Sequence, residues 1–138
     1  LERAHERTVG EVLRRRTEGD DLPYLVTIGV AQAVRDAVAL LHQHGVSQLP
    51  VMSAHDPLAV AGSVTERGLL AHAIRDPGLL DAHVGDVMEA PLTAVGAADP
   101  VSDVVDLLVG ERQALLVLDD GRPVGIVSRA DLLEALVR

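Results

Sequence analysis

The chain has 138 residues, a formal net charge of −9 and no cysteine. That length suits one compact domain or two small fused halves, and the charge argues against nucleic acid, whose phosphates call for clustered Lys and Arg. Apolar residues make up 48% of the chain with Tyr24 as its one aromatic residue, so the core is aliphatic and any bound ring must be held by Val, Leu, Ile and main chain.

In chain order, Val9-Gly10-Glu11-Val12-Leu13 reads as a short helix continuing through Arg16, followed by the polar loop Glu18-Gly19-Asp20-Asp21. Leu25 to Ile28 is a short β-type run, and Val30, Val34, Val38 and Leu41 then recur at helical spacing until Gly45. Strands are expected from Val46 to Met52 and from Leu58 to Val64, parted by the turn residues Ala54-His55-Asp56-Pro57. Thr65 can cap a helix running through Ile74, which Asp76-Pro77-Gly78 breaks. The cycle then repeats. Val84-Gly85-Asp86-Val87-Met88 echoes Val9 to Leu13, Leu92 to Val95 is the short strand, and Asp99-Pro100 opens a helix with Val101, Val104, Val105 and Leu108. Ala114 to Leu118 and Pro123 to Val127 form a hairpin about Asp119-Asp120-Gly121, and Ser128 starts a last helix with Leu132, Leu133 and Leu136.

The parallel extends to residues. Val34-Arg35-Asp36-Ala37-Val38 matches Val101-Ser102-Asp103-Val104-Val105, Ser47-Gln48-Leu49-Pro50-Val51 matches Arg112-Gln113-Ala114-Leu115-Leu116, and Gly62 to Leu70 matches Gly125 to Leu133. The expected fold is α/β (α+β): two β-α-β-β-α units about a pseudo-twofold axis, residues 1–78 with the N-terminal helix and residues 79–138. Such a pairing leaves concave crevices between halves, which are preferred ligand sites.

The most informative stretch is Gly125-Ile126-Val127-Ser128-Arg129-Ala130-Asp131. On spacing alone, Ser128 and Asp131 form a capping box. A ligand role is compatible with it: Asp131 can accept charge-assisted bonds from both hydroxyls of a ribose, Ser128 can bond the ribose or a phosphate, and Gly125 leaves room for a ring to approach the strand. The first repeat has Gly62, Thr65 and then Gly68 where the acid belongs; there Thr65 is expected to be a helix cap beside an empty or weak cleft.

This pattern resembles a tandem pair of CBS motifs, a Bateman module, over nearly the whole chain. Gly125, Ile126, Ser128 and Asp131 match the family's ribose pattern of glycine, apolar, any residue, Thr or Ser, two residues, Asp. The resemblance implies an adenosyl ligand in the cleft between motifs. Ser128, Asp131, Ile126 and Val127 of one half would join Val46, Ser47 and Gln48 of the other, with Thr65 and Gln113 in the weaker second cleft. Core packing is the competing reading for Val46 and Ile126, and a satisfied strand-end polar residue for Gln48. It also implies a homodimer through the CBS helices. More narrowly, Val34-Arg35-Asp36-Ala37, Gly45-Val46-Ser47-Gln48 and Gly62 to Arg67 resemble the C-terminal regulatory region of actinobacterial cystathionine β-synthases, PLP enzymes of transsulfuration. That implies a non-catalytic fragment without bound cofactor, regulating an attached enzyme through S-adenosylmethionine as effector. The alternatives are a sensor of AMP, ADP or ATP, which Arg129 or Arg112 would favour, and a structural dimerisation module without ligand.

Other classes find little support. No apolar stretch approaches the roughly 20 residues of a membrane span. His42 and His44 point to different helix faces, and His5, His55, His72 and His83 are scattered, so no metal site is expected. No nucleophile–base constellation is legible. The charged start, Leu1-Glu2-Arg3-Ala4-His5-Glu6-Arg7, is unlike a signal peptide and lacks Met. A cytoplasmic piece of a longer protein is therefore expected.

Overall fold

The structure, a computed structural model, describes residues 7–16, 25–109 and 114–137. The mixed α+β architecture expected from the repeat is present: two three-stranded sheets with helices. The chain divides into two compact units, one formed by 26–92 and the other by the described part of 1–25 together with 93–138. The helix at the start of the chain thus joins the unit of the second repeat.

In the 26–92 unit, β1 (Ile28–Gly29) runs parallel to β2 (Gln48–Met52), which pairs antiparallel with β3 (Val60–Thr65). The parallel pair needs a crossover, supplied by α2 (Val34–His44). Val34, Ala37 and Leu41 are its buried stripe, at i, i+3 and i+7. Val38 falls at the margin of that stripe and is 42% exposed. Gly45 ends the helix at φ 63°, where its N–H donates to the His42 carbonyl at 3.3 Å and that of Val46 to the Leu41 carbonyl at 3.1 Å. α3 (Glu66–Arg75) follows β3, then a single 3₁₀ turn at Leu79–Asp81 and α4 (Val84–Val87).

The other unit repeats this order. α1 (Val9–Arg16) begins at Thr8, whose Oγ accepts the Glu11 N–H at 3.2 Å. β4 (Ala94–Gly96) is parallel to β5 (Ala114–Asp119), which is antiparallel to β6 (Arg122–Ser128), and α6 (Arg129–Val137) closes the unit. The hairpin turn has Asp120 at φ 56° and Gly121 at φ 77°. Positive φ at both central residues is the tight-turn geometry whose twist matches that of paired strands. The helix after Pro100 is α5 (Val101–Val104), and it tightens into a 3₁₀ segment over Val105–Leu108 rather than continuing as one α-helix.

Strand starts differ from the sequence expectation for local reasons. Val46 donates its N–H to the helix end at Leu41, so β2 begins only at Gln48. Leu58 lies in a turn, its N–H held by Asp56 Oδ1 at 3.0 Å, so β3 begins at Val60. β1 and β4 are likewise shifted, to Ile28–Gly29 and Ala94–Gly96. The strand registers also correct the alignment of the repeats. Gln48 faces Thr65 and Ala114 faces Ser128. Gln48 therefore corresponds to Ala114, one position on from Gln113. Both sheets carry an irregularity at equivalent places, Val51/Met52 and Val117/Leu118.

Each sheet is completed by a docked segment. Val9 N–H donates to the Asp99 carbonyl at 2.9 Å and Gly10 N–H to that of Ala97 at 2.8 Å. In the 26–92 unit, Val84 N–H donates to Gln32 at 2.8 Å and Gly85 N–H to Val30 at 2.9 Å. Val9 and Val84 are both fully buried. Behind them, Leu13 lies over Gly125, where a Cβ would come within 2.5 Å of its Cδ2, and Met88 lies over Gly62, where a Cβ would come within 2.7 Å of its sulfur. The two cores follow: Leu13 with Val95, Leu115, Val117, Val127 and Leu132, and Ile28 with Val34, Leu49, Val51, Val64 and Leu69.

Gly125→Ala should lower stability by about 1–3 kcal/mol through overpacking, as read from urea denaturation. In a Leu13→Ala background that cost should fall below about 1 kcal/mol, because the colliding atoms are gone. Additive costs in the two backgrounds would contradict this packing.

Candidate functional site

Ser128 is the last residue of β6 and stands immediately before α6. Its N–H donates to Asp131 Oδ2 at 2.8 Å, and the Asp131 N–H donates back to Ser128 Oγ at 3.3 Å. This is the reciprocal capping box that the spacing implies. Both residues are half-buried. An ionised carboxylate has about four lone-pair positions, and the cap bond uses one of them. Capping therefore fixes the orientation of Asp131 without exhausting it as an acceptor.

The strand alternates around this turn. Ile126 and Ser128 lie on one face, with Ile126 half-buried opposite Leu116. Gly125 and Val127 lie on the other, and Val127 is fully buried in the core. Any contact from Val127 outside that core would fall to its main chain. The space above Gly125, expected to admit a ring, is filled by the Leu13 side chain. The glycine is needed there for intramolecular packing.

Val46, Ser47 and Gln48 belong to the 26–92 unit, and Ser128, Asp131, Ile126 and Val127 to the other. Val46 is half-buried against its own core. Ser47 is exposed and its carbonyl accepts the Glu66 N–H at 3.0 Å. Gln48 is half-buried at the head of β2. Gln113, like Arg112, lies outside the described residues.

Thr65 caps α3, its Oγ1 accepting the Gly68 N–H at 2.9 Å. The same hydroxyl donates to Glu89 Oε2 at 2.8 Å. Glu89 reaches this position because its main chain pairs with Ser63: Glu89 N–H donates to the Ser63 carbonyl at 2.7 Å and Ser63 N–H to the Glu89 carbonyl at 3.0 Å. The buried Ser63 hydroxyl donates to the Ala90 carbonyl at 2.7 Å. The acid lacking at position 68 is thus replaced in space by one from a later segment, which the sequence reading missed. Its available signal was its place directly after the Val84 to Met88 repeat.

On α6 and the preceding helical segment, Val105, Leu108, Leu132, Leu133, Leu136 and Arg129 line an apolar cavity of about 200 Å³. Among the described residues no group of three or more His, Asp or Glu side chains is placed to hold a metal ion, and no helix is long and apolar enough to cross a membrane.

A family model described as CBS domain matches residues 20–75 and 84–138. An uncharacterised protein of Methanopyrus kandleri is 27% identical over 92% of this chain and 61% of its own length. The mitochondrial CBS domain-containing protein CBSX3 of Arabidopsis thaliana is 29% identical over 94% of this chain and 65% of its own. The chain therefore spans less than two thirds of these relatives. Among solved structures, the CBS domain NE2398 superposes with a TM-score of 0.80 at 24% identity, covering 97% of this chain and all of that one. CBSX2, solved in complex with AMP, gives a TM-score of 0.74 at 26% identity, covering 95% of this chain and 96% of that one.

Removing the cap should be measurable without any ligand. Asp131→Ala should cost about 0.5–2 kcal/mol in denaturant unfolding. Asp131→Asn, which keeps an acceptor for the Ser128 N–H, should cost clearly less. Equal losses in the two variants would show that the cap bond is not what Asp131 supplies to the fold.

Proposed function

The chain belongs to the CBS-domain family, and from that premise we propose that it is a non-catalytic regulatory module that binds an adenosyl ligand at the Ser128–Asp131 turn. The observation that carries this is the reciprocal Ser128–Asp131 hydrogen bonding, which holds a carboxylate and a hydroxyl together in a fixed orientation at a helix start. The two hydroxyls of a ribose are donors, and a carboxylate accepting both makes charge-assisted bonds stronger than neutral ones. Ser128 Oγ can donate to the ribose or to a phosphate, and the N-terminal end of α6 adds main-chain dipoles favourable to an anion. The CBSX2 complex supports AMP as the first ligand to test.

S-adenosylmethionine is the second reading. It is supported by the likeness of Val34-Arg35-Asp36-Ala37, Gly45-Val46-Ser47-Gln48 and Gly62 to Arg67 to the regulatory region of cystathionine β-synthases. In that reading the chain regulates an attached PLP-dependent enzyme in the cytoplasm. In either case, regulation requires that the ligand bind one arrangement of the module better than another.

The proposal includes a homodimer through the helices. α3 carries Leu70 and Ile74 at 68% and 82% exposure, and α6 carries Leu133, Leu136 and Val137 at 63%, 66% and 86%. Exposed aliphatic rows of this kind are unfavourable in water unless covered, and a second copy of the chain is the occupant that the family resemblance implies.

Isothermal titration with AMP and S-adenosylmethionine in parallel should give saturable binding of one of them, weakened about tenfold or more by Asp131→Asn. Unchanged affinity in that variant would remove the site assignment, and silence with both ligands on folded protein would leave a dimerisation module. In sedimentation equilibrium the chain should have the mass of a dimer, and Ile74→Glu or Leu136→Glu should shift it toward the monomer. A monomeric wild-type chain would contradict the dimer.

A further inference from the structure

We infer that Glu89 decides which repeat accepts a phosphate-bearing adenosyl ligand: its carboxylate occupies the place beside Thr65 in the first repeat, bars an anion there and leaves the Ser128–Asp131 turn to bind it. This deepens the proposed function and rests on it.

The two turns are equivalent in register, Thr65 facing Gln48 as Ser128 faces Ala114. Each hydroxyl oxygen accepts the N–H three residues on, from Gly68 in one case and Asp131 in the other. They differ in where the hydroxyl proton goes. Thr65 gives its single proton to Glu89 Oε2 at 2.8 Å, and a hydroxyl has only one to give. The Ser128 hydroxyl proton has no acceptor among the described residues. A ligand hydroxyl-acceptor or phosphate oxygen arriving at Thr65 would have to displace Glu89.

That displacement is opposed by the main chain. Glu89 is paired to β3 through both of its backbone groups with Ser63, the Ser63 hydroxyl holds the Ala90 carbonyl, and Met88 is seated over Gly62. The carboxylate also lies within contact of the point where a Gly68 side chain would start, together with Thr65 Oγ1 at 3.0 Å from that point. Position 68 can dispense with an acid because another carboxylate already fills the space. Since α3 begins at Glu66, directly after Thr65, Glu89 also acts as the anion that a helix start attracts.

In the second repeat Leu13 corresponds to Met88, each covering its strand glycine, but the chain after Leu13 stays helical to Arg16 and does not pair as extended chain the way Glu89 pairs with Ser63. The two turns therefore differ in the hydroxyl proton, which Thr65 gives to the Glu89 carboxylate.

The test is an amide-resolved NMR titration of the full chain with AMP, for wild type, Glu89→Gln and the double variant Gly68→Asp/Glu89→Ala, which moves the acid to where the second repeat has it. In wild type, AMP should shift amides at 126–132 and leave 63–68 unchanged. In Glu89→Gln, Thr65 and Gly68 should shift as well, at AMP concentrations at least tenfold higher. The double variant should approach two equivalents of AMP per chain. The inference is overturned if 63–68 stays silent in both variants, or if wild type already shifts Thr65 and Gly68 and Glu89→Gln abolishes it, which would make Glu89 a ligand-holding acid. The two levels separate cleanly. Shifts at 126–132 without any gain at 63–68 in the variants keep the proposed function and remove this inference. Silence at 126–132 in wild type and variants removes the proposed function and this inference with it, whatever happens at 63–68.

Discussion

The constraint on which the rest depends is the seat that each sheet makes for a segment from elsewhere in the chain. Val9-Gly10 and Val84-Gly85 each donate two main-chain N–H groups to the loop after the parallel edge strand, and the loop returns a bond: Val101 N–H to the Arg7 carbonyl, Val34 N–H to the Ala82 carbonyl, both at 2.9 Å. Those edge strands are two and three residues long. Strands so short leave main-chain groups that need partners if buried, and the docked segments supply them. Each docking also carries a side chain, Leu13 or Met88, onto the bare face of a strand glycine. In this way the main chain sets β6 and β3, and with them the two turns, before any ligand is considered.

From that seat the two turns acquire their difference. After Leu13 the chain continues as helix to Arg16, whereas after Val87 helix α4 has ended and Glu89 pairs as extended chain with Ser63. One geometry leaves Ser128 and Asp131 joined by their reciprocal cap bonds. The other brings a carboxylate to Thr65. A duplicated sequence thus yields two unlike turns from one change in how the docked segment proceeds. The capping bonds fix the Ser128–Asp131 turn at small cost, since a helix start needs such acceptors in any case.

Much of this was legible from residues alone. The repeat showed in the return of Val-Gly-acid-Val at Val9 and Val84, and the Asp120-Gly121 hairpin in a dipeptide suited to two positive φ values. The Ser128–Asp131 cap followed from spacing, because capping is local. What escaped was long-range. Nothing in the spacing shows that Leu13 covers Gly125 or that Glu89 meets Thr65 across 24 positions. The alignment of Gln48 with Gln113 slipped by one because apolar β-runs align nearly as well in either register, whereas the pleat allows only one. A glycine read as space for a ring proved to be space for a leucine: absence of a side chain marks a close approach and does not say by what.

The most direct test of the central claim, that the Ser128–Asp131 turn holds the ligand, is amide hydrogen exchange with and without saturating AMP. Protection should increase over Ile126 to Leu132, where bonds to the ligand add to the cap bonds at the start of α6, and stay unchanged over Ser63 to Leu69. Unaltered exchange from Ile126 to Leu132 in a chain shown calorimetrically to bind AMP would place the ligand elsewhere and contradict the account.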